Sequence, residues 1–369
     1  MLQRLYVHNF RCLENFELTV KELPSALLIG KNGSGKSTIA NALEVLQGIG
    51  RGLNRVGNLV KPKDFTRDRS NVPIRFEIEV LLDGRLYKYI LALELPEWFK
   101  ELRVSEELLL LEGDPIYSRR QAEVTFRASS QVREAQFQVD WHLVALPVIQ
   151  EQSEQGPLNL FKTWLARTII LAPIPSLMTG DSTGETFEPK RDGSNFGEWF
   201  SGLLSHYPAA YTQVENYLRE VMPDFGDFLN EIIGKESKSM LVRFQNENDK
   251  MKVYFRDLSD GEKCFFLCAV LLAANKFYGP LFCLWDEPDN FLSLSEVGLF
   301  VTSLRRAFQS GGQILVASHN PEAIRKFSNE NTFILSRRSH LEPTVVRLLS
   351  DIPVSGDLVD ALIRDDIEP

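Results

Sequence analysis

The stretch LLIGKNGSGKST, residues 27 to 38, has the residue types and spacing of a phosphate-binding loop. Glycines at 30, 33 and 35 permit backbone angles that turn successive N–H groups toward one point, and a following helix adds its positive end. The Lys36 ammonium group can reach the outer phosphates, and the Ser37 hydroxyl can ligate Mg²⁺. A glycine-rich turn without a ligand is the alternative, which the flanking apolar strand and helix disfavour. The predicted contacts to ATP are Asn32, Gly33, Gly35, Lys36, Ser37 and Thr38.

A second candidate site follows another apolar run, LFCLWDEP at residues 281–288. Such a strand, ending in two carboxylates, is typical of the Walker B motif. Asp286 is predicted to hold Mg²⁺ with Ser37, and Glu287 to act as general base toward the attacking water. A buried strand followed by a capped turn would look the same, but the upstream phosphate loop favours the catalytic interpretation.

Two further segments carry groups that can meet a phosphate. In DLSDGEK, residues 257–263, Ser259 and Gly261 begin a predicted helix whose free N–H groups can bind an anion. The same sequence also predicts a capping box between Ser259 and Glu262, and a capping box is compatible with an anion site. His319 directly follows the predicted strand 313–318, where it can hydrogen-bond a γ-phosphate.

The elements that position these residues indicate an α/β fold. Alternating runs on both sides of Asp83-Gly84 predict a hairpin, and a second hairpin is predicted at 241–255 with its turn at 246–250. Residues 262–276 are apolar nearly all round, which predicts a buried helix, and the continuous apolar strands suit a covered parallel sheet. Residues 176–195 are predicted to be a mobile surface loop. Residues 97–170 give no clear pattern.

Composition narrows the classes of function. The chain has 369 residues, of which 44% are hydrophobic and 25% charged, and its formal net charge is −9. This charge does not support a general polyanion binder, although it leaves room for a local basic groove that contacts nucleic acid. The absence of an apolar span or signal core predicts a cytoplasmic protein without a membrane partner. The four cysteines are predicted to be buried and reduced.

The order GKNGSGKST, LSDGEK, LWDEP and SHN resembles the ABC-type ATPases, and within them the soluble RecF/SMC-like branch. VHNFRCLENFEL is similar to the branch's NFR strand, and RDGSNFGEWF resembles an Asp-Gly-x-Asn segment of ATP-binding proteins in overcoming-lysogenization-defect nucleases and anti-phage systems. The resemblance implies a P-loop ATPase head with a β-rich nucleotide-binding lobe, 1–95 and 265–369. A smaller, mainly helical lobe would span 96–264 and end in the signature motif.

The same resemblance implies a mechanism and partners. Arg11 would lie near the nucleotide. Ser259 and Gly261 would contact the open face of the γ-phosphate of ATP bound to a second chain, so that two chains form an ATP-bound homodimer. The expected role is an ATPase switch in anti-phage defence or DNA maintenance. The acidic tail 357–369 resembles a solvated helix end more than a metal site, so a separate nuclease-like effector would perform any cutting.

Some features depart from the branch. No glutamine occupies a clear Q-loop context, because Gln47 lies too close to the phosphate loop. The ATP-binding subunit of a transporter is an alternative, which the NFR-like strand disfavours. A small-molecule kinase is another, and it would leave the signature motif and His319 without a role.

Overall fold

A computed structural model describes residues 1–127, 134–151, 153–233 and 237–352 of the chain. The predicted helix end at 357–369 lies outside these residues. The strands are β1 Leu2–His8, β2 Phe16–Thr19, β3 Ser25–Ile29, β4 Ile74–Leu82, β5 Arg85–Glu94, β6 Arg103–Leu111, β7 Asp114–Arg120, β8 Glu123–Arg127, β9 Glu134–Gln138, β10 Ile169–Leu171, β11 Asp181–Ser182, β12 Phe225–Ile233, β13 Ser237–Gln245, β14 Lys250–Tyr254, β15 Phe282–Asp286, β16 Gln313–Ala317, β17 Thr332–Ser336 and β18 Val345–Leu348. The helices are α1 Lys36–Gly50, α2 Val56–Leu59, α3 Pro157–Arg167, α4 Phe196–His206, α5 Ala210–Val221, α6 Asp260–Phe277, α7 Leu294–Gln309 and α8 Pro321–Ile324.

The strands form three sheets. Eight of them make an antiparallel sheet in the order β2–β1–β4–β5–β6–β7–β8–β9. Six make the central sheet, β10–β15–β16–β3–β17–β18, in which only the β17–β18 pair is antiparallel. In the third sheet, β13 pairs with β11, β12 and β14. Because β15, β16 and β3 run parallel, their carboxyl ends meet at one edge of the central sheet.

The central sheet separates two hydrophobic cores, because successive strand residues face opposite sides. Leu28 packs in a core with α1, α3 and the eight-stranded sheet. Its neighbour Leu27 packs in a second core with helices α4 to α7 and the third sheet. Both faces of the central strands are therefore covered, which explains their unbroken apolar sequences.

The predicted mixed α/β class and the clearest predicted elements are confirmed. Both hairpins form, and the first turns through Asp83 and Gly84, which have φ angles of 50° and 74°. The predicted buried helix is α6, whose side chains from Lys263 to Asn275 are all buried. None of the helices in the described ranges is long and apolar enough to cross a bilayer.

The description of 96–264 as mainly helical is wrong for the described residues. This segment contains nine strands and three complete helices, and β6 to β9 extend the first sheet. Its strands carry many polar side chains and a register irregularity between Leu109 and Leu110, which obscured the alternation expected of strands. The division of the chain into two lobes stays a prediction.

Candidate functional site

The predicted phosphate loop lies between β3 and α1 and requires its glycines. Gly33 and Gly35 have φ angles of 82° and 108°, which side-chain-bearing residues rarely adopt. A Cβ atom on Gly30 would lie 2.3 Å from the Leu335 carbonyl oxygen, and one on Gly35 would lie 2.6 Å from Thr344 Oγ1. The loop is therefore closely surrounded by β17 and by the segment that follows it.

Lys36 is the first residue of α1, and its charged end lies inside this loop. Its Nζ donates hydrogen bonds to the carbonyl oxygens of Gly30, at 2.6 Å, and Lys31, at 3.4 Å. The residue is 6% exposed, and burial lowers its pKa, opposed by the charges of Glu287 and Asp286. An anionic phosphate would supply a stronger partner for this buried ammonium group than two neutral carbonyls.

Ser37 and Asp286 meet although 249 positions separate them. Ser37 Oγ donates a hydrogen bond of 2.8 Å to Asp286 Oδ2. Asp286 is 8% exposed, its Oδ1 is buried without a hydrogen-bond partner among the described residues, and desolvation raises its pKa despite the Ser37 bond. A hydroxyl beside a buried, incompletely paired carboxylate fits the oxygen ligands that Mg²⁺ prefers, so Ser37 and Asp286 could hold that ion.

Glu287 and His319 lie side by side at the same edge of the sheet. Glu287 has a φ angle of 52°, and its N–H donates to the Ala317 carbonyl oxygen at 2.8 Å. This contact turns the side chain away from β15, so that its Oε1 lies 3.4 Å from His319 Nδ1 and its Oε2 accepts from Asn290 Nδ2 at 2.5 Å. The His319 side chain is 61% exposed, so it is accessible to a ligand.

A buried contact below this pair connects the two loops that carry it. Ser318 Oγ donates to Asp289 Oδ2 at 2.6 Å, and the two residues are 0% and 3% exposed. Burial raises the pKa of Asp289, against the lowering effect of the Ser318 bond. The contact fixes the loop after β16 against the loop after β15.

A cavity of about 250 Å³ opens over the phosphate loop. Its lining includes all six predicted contacts and Glu287, together with three residues that the sequence analysis did not select, Cys12, Ser34 and Arg337. The lining residues are Cys12, Asn32, Gly33, Ser34, Gly35, Lys36, Ser37, Thr38, Glu287 and Arg337. The candidate nucleotide site is therefore formed by residues from both ends of the chain.

Five predicted site residues do not line this cavity: Asp286 and His319, at the adjacent edge of the central sheet, and Arg11, Ser259 and Gly261. Arg11 donates instead to Asp64 Oδ1 at 2.9 Å, and its neighbour Cys12 reaches the loop. Ser259 caps α6 in the predicted capping box, accepting from the Glu262 N–H at 3.4 Å and donating to its carboxylate at 2.6 Å. Ser259 is exposed and Gly261 is half-buried. Their assignment as nucleotide contacts within one chain receives no support, and assignment to a second chain stays a prediction.

Sequence reasoning missed two arginines at the site. Arg337 follows β17 and lines the cavity, and Arg191 reaches α1 and Asp286 from the loop before α4. No spacing rule selects an arginine that reaches a site from a distant loop. The Asp-Gly-x-Asn segment beside Arg191 was the only signal available. Gln47 is structural, since it is buried and donates to the Thr168 carbonyl oxygen.

Comparison with known proteins agrees with this geometry. Residues 1–97 match the family described as "AAA ATPase domain", and residues 185–325 match "AAA domain, putative AbiEii toxin, Type IV TA system". No curated protein sequence matches the chain.

Solved structures show the fold. The SMC head bound to the C-winged helix domain of ScpA is similar with a TM-score of 0.54 and 13% identity, over 95% of this chain and 99% of that one. An SMC head domain with an extended coiled coil, bound to the C-terminal domain of ScpA, from Pyrococcus furiosus, has a TM-score of 0.52 and 12% identity, over 99% and 98%. Residues 1–97 and 185–325 thus resemble ATPase domains of the AAA type, and the chain has the fold of SMC head domains.

Proposed function

We propose that the chain is an ATP-driven switch that binds ATP with Mg²⁺, dimerises head to head in the ATP-bound state, and hydrolyses ATP to ADP and phosphate. The observation that carries the proposal is the contact between Ser37 and Asp286, with the second Asp286 oxygen buried and unpartnered. It joins the phosphate loop to the Walker B strand in the arrangement that a Mg²⁺-bound triphosphate requires.

Each residue of the site then has a chemical role. Lys36 neutralises the outer phosphates, while Ser37 and Asp286 would hold Mg²⁺, which would supply positive charge to stabilise the transferring phosphoryl group. Glu287 accepts a proton from the attacking water, and His319, 3.4 Å away, orients that carboxylate and donates toward the γ-phosphate. The Asp289–Ser318 contact keeps the Glu287 and His319 side chains next to each other.

The dimer is inferred from the location of the signature motif. Ser259 is exposed at the N-terminus of an 18-residue helix, and the cavity over the phosphate loop includes neither Ser259 nor Gly261. A helix N-terminus favours an anion. The motif is thus available to contact the γ-phosphate of ATP bound in the phosphate loop of a second chain. This supports a dimer that holds two ATP molecules between its chains.

The biological setting is proposed from the family matches. One matched family carries the description of a putative toxin in a toxin–antitoxin system, and the similar SMC heads were solved with a second protein, ScpA. We propose from them a switch in defence or DNA maintenance that works with a second protein, and we expect a cytoplasmic location and a nuclease-like effector. The net charge of −9 gives no support for direct binding of nucleic acid.

Mixing two inactive variants tests the shared site. Lys36→Ala damages the phosphate loop, whereas Ser259→Arg places bulk at the proposed contact between chains and leaves the loop intact. Ser259→Arg alone should bind ATP but neither dimerise nor hydrolyse it. A mixed dimer combines one intact loop with one intact Ser259, so an equimolar mixture should regain at most about a quarter of the parental ATPase rate.

Ser310→Arg is the matched control, since it places the same side chain at another exposed helix end. It should dimerise and hydrolyse ATP like the parent. Loss of the Ser259 cap costs about 1 kcal/mol, so thermal unfolding must establish that each variant is folded. Mixed dimers that are demonstrated by cross-linking but hydrolyse no ATP would exclude the shared site.

A further inference from the structure

Arg191 brings a positive charge to the carboxylate that is proposed to hold Mg²⁺. Its Nη2 lies 3.9 Å from Asp286 Oδ2. Its Nη1 donates to Asn41 Oδ1 at 2.6 Å and lies 3.1 Å from Glu44 Oε2, both in α1. The side chain is 24% exposed. The guanidinium therefore lies between the first helix and the Walker B aspartate.

The backbone around Arg191 is held in place from both sides. The Ala172 N–H donates to the Arg191 carbonyl oxygen at 2.8 Å, and the Ile174 N–H donates to that of Asp192 at 2.9 Å. These bonds fix the segment to the residues following β10, which pairs with β15 through Leu171 and Trp285. Arg191 thus belongs to a hydrogen-bonded segment anchored one strand away from Asp286.

The charges around Asp286 explain why an arginine at this position matters. A buried carboxylate is costly unless positive charge compensates it. Lys36 and Arg191 both lower the pKa of Asp286, although burial outweighs them. The Lys36 ammonium group is directed to the loop carbonyls, whereas the Arg191 guanidinium is always charged and lies within ion-pair distance of the carboxylate, 3.9 Å away. Mg²⁺ at the same carboxylate would be repelled by this guanidinium.

We propose that Arg191 is a positioning residue that compensates Asp286 in the metal-free protein and thereby limits how strongly ATP binding depends on Mg²⁺. The inference rests on the proposed function, because it takes Asp286 as a metal ligand. Without Mg²⁺, the Arg191 charge offsets the repulsion between the Asp286 carboxylate and the phosphates and so supports binding. With Mg²⁺, it opposes the metal. Its removal should therefore weaken metal-free binding and strengthen metal-dependent binding.

The test measures binding rather than turnover. Calorimetry gives the dissociation constant of AMP-PNP in EDTA and in Mg²⁺. The constant in EDTA divided by the constant in Mg²⁺ expresses how strongly binding depends on the metal. In Arg191→Gln this ratio should rise about tenfold, equivalent to about 1.4 kcal/mol of coupling. Arg191→Lys retains the charge and should remain within about threefold of the parent.

Arg51→Gln is the matched control. Arg51 lies 3.6 Å from Glu188 and donates to the Ala166 carbonyl oxygen, so it anchors the same segment without an ion pair to Asp286. Its ratio should equal that of the parent. Thermal unfolding establishes that the variants are folded, and Arg191→Lys keeps the comparison informative if Arg191→Gln unfolds.

The outcomes separate the two proposals. A parent protein that binds AMP-PNP in neither buffer overturns the proposed function and this inference with it. Normal, Mg²⁺-dependent binding by the parent with an unchanged ratio in Arg191→Gln overturns the inference alone. A ratio that falls in Arg191→Gln also overturns it, because Arg191 would then assist the metal-bound nucleotide.

Discussion

Asp286→Asn should stabilise the nucleotide-free protein while it weakens Mg²⁺-dependent binding of ATP. Asp286 is 8% exposed, one of its oxygens lacks a partner, and desolvation raises its pKa in spite of nearby cations. The folded state thus disfavours the ionised carboxylate. Asparagine retains an oxygen that can accept from Ser37 and removes the charge.

The magnitude follows from the cost of an incompletely paired buried group. Leaving such a group unsatisfied costs about 1–3 kcal/mol, and the amide remains partly unsatisfied, so we expect a gain of about 1 kcal/mol in the free energy of unfolding. In a chain of this length that gain raises the midpoint of thermal unfolding by roughly 2 °C. Loss of the charged ligand should weaken binding of ATP with Mg²⁺ at least about tenfold.

The pH dependence of this gain in stability tests whether the charge on Asp286 is its cause. Because the folded-state pKa of Asp286 lies above its unfolded value of about 3.9, the loss of stability begins as the pH rises through the unfolded value, where the carboxyl ionises first in the unfolded chain, and it is complete above the folded-state pKa. The advantage of Asp286→Asn should be complete above the folded-state pKa and disappear as the pH falls to the unfolded value. Thermal unfolding monitored by circular dichroism, and calorimetric titration with ATP, measure the two effects.

Asp289→Asn is the matched control, because Asp289 is also buried with a raised pKa but bonds to Ser318 instead of Ser37. It should share the pH-dependent gain and retain Mg²⁺-dependent binding. A loss of stability in Asp286→Asn at neutral pH, or a gain that does not change with pH, would refute the reasoning.

Three further variants test other parts of the molecule. Lys36→Ala removes the buried ammonium group from the phosphate loop and should weaken ATP binding by roughly 30-fold or more, measured by calorimetry. Near-parental binding would contradict the site. Glu287→Gln should still bind ATP but hydrolyse it about 10²- to 10⁴-fold more slowly, measured by phosphate release, because it lacks the base; an unchanged rate would exclude that role. Glu107→Gln should cost about 3 kcal/mol, since Glu107 is fully buried and accepts from two tyrosine hydroxyls and the N–H groups of Ala145 and Leu146. Its exposed neighbour Glu106→Gln should cost less than about 1 kcal/mol by thermal unfolding, and equal losses would show that burial is not the cause.

Sequence reasoning succeeded where local chemistry dictates conformation. The phosphate loop needs glycine at φ angles of 82° and 108°, and the hairpin at Asp83-Gly84 needs two residues with positive φ, so both leave a readable pattern. The capping box of Ser259 and Glu262 formed for the same reason. In each case the residues that decide the geometry are close in sequence.

Sequence reasoning failed where residues that are distant in sequence satisfy one another's hydrogen bonds and charges. Glu107 and Arg119 are both fully buried, yet charged letters in a strand normally indicate a solvent-facing side. Arg119 is accommodated because it also donates to carbonyl oxygens between 121 and 143, a set that no local pattern contains. The same reason explains the omission of Arg191 and Arg337, whose relation to the site arises only when separate loops fold together.

The two halves of the proposed composite site are mechanically connected within one chain. A Cβ atom on Gly261 would lie 3.0 Å from the Phe291 carbonyl oxygen, so the start of α6 packs directly on the loop that follows Glu287. Lys263, two residues further, is buried and donates to the Pro175 carbonyl oxygen in the segment between β10 and Arg191. Close-packed contacts of this kind transmit displacement. In a two-fold dimer, closure of one ATP site would therefore align the signature motif that serves the other site. Mixed dimers of Lys36→Ala and Ser259→Arg contain one intact and one doubly damaged site and make up about half of the dimers in an equimolar mixture, so recovery of about a quarter of the parental rate by that mixture would indicate independent sites. A lower but measurable recovery would indicate that the two sites close together.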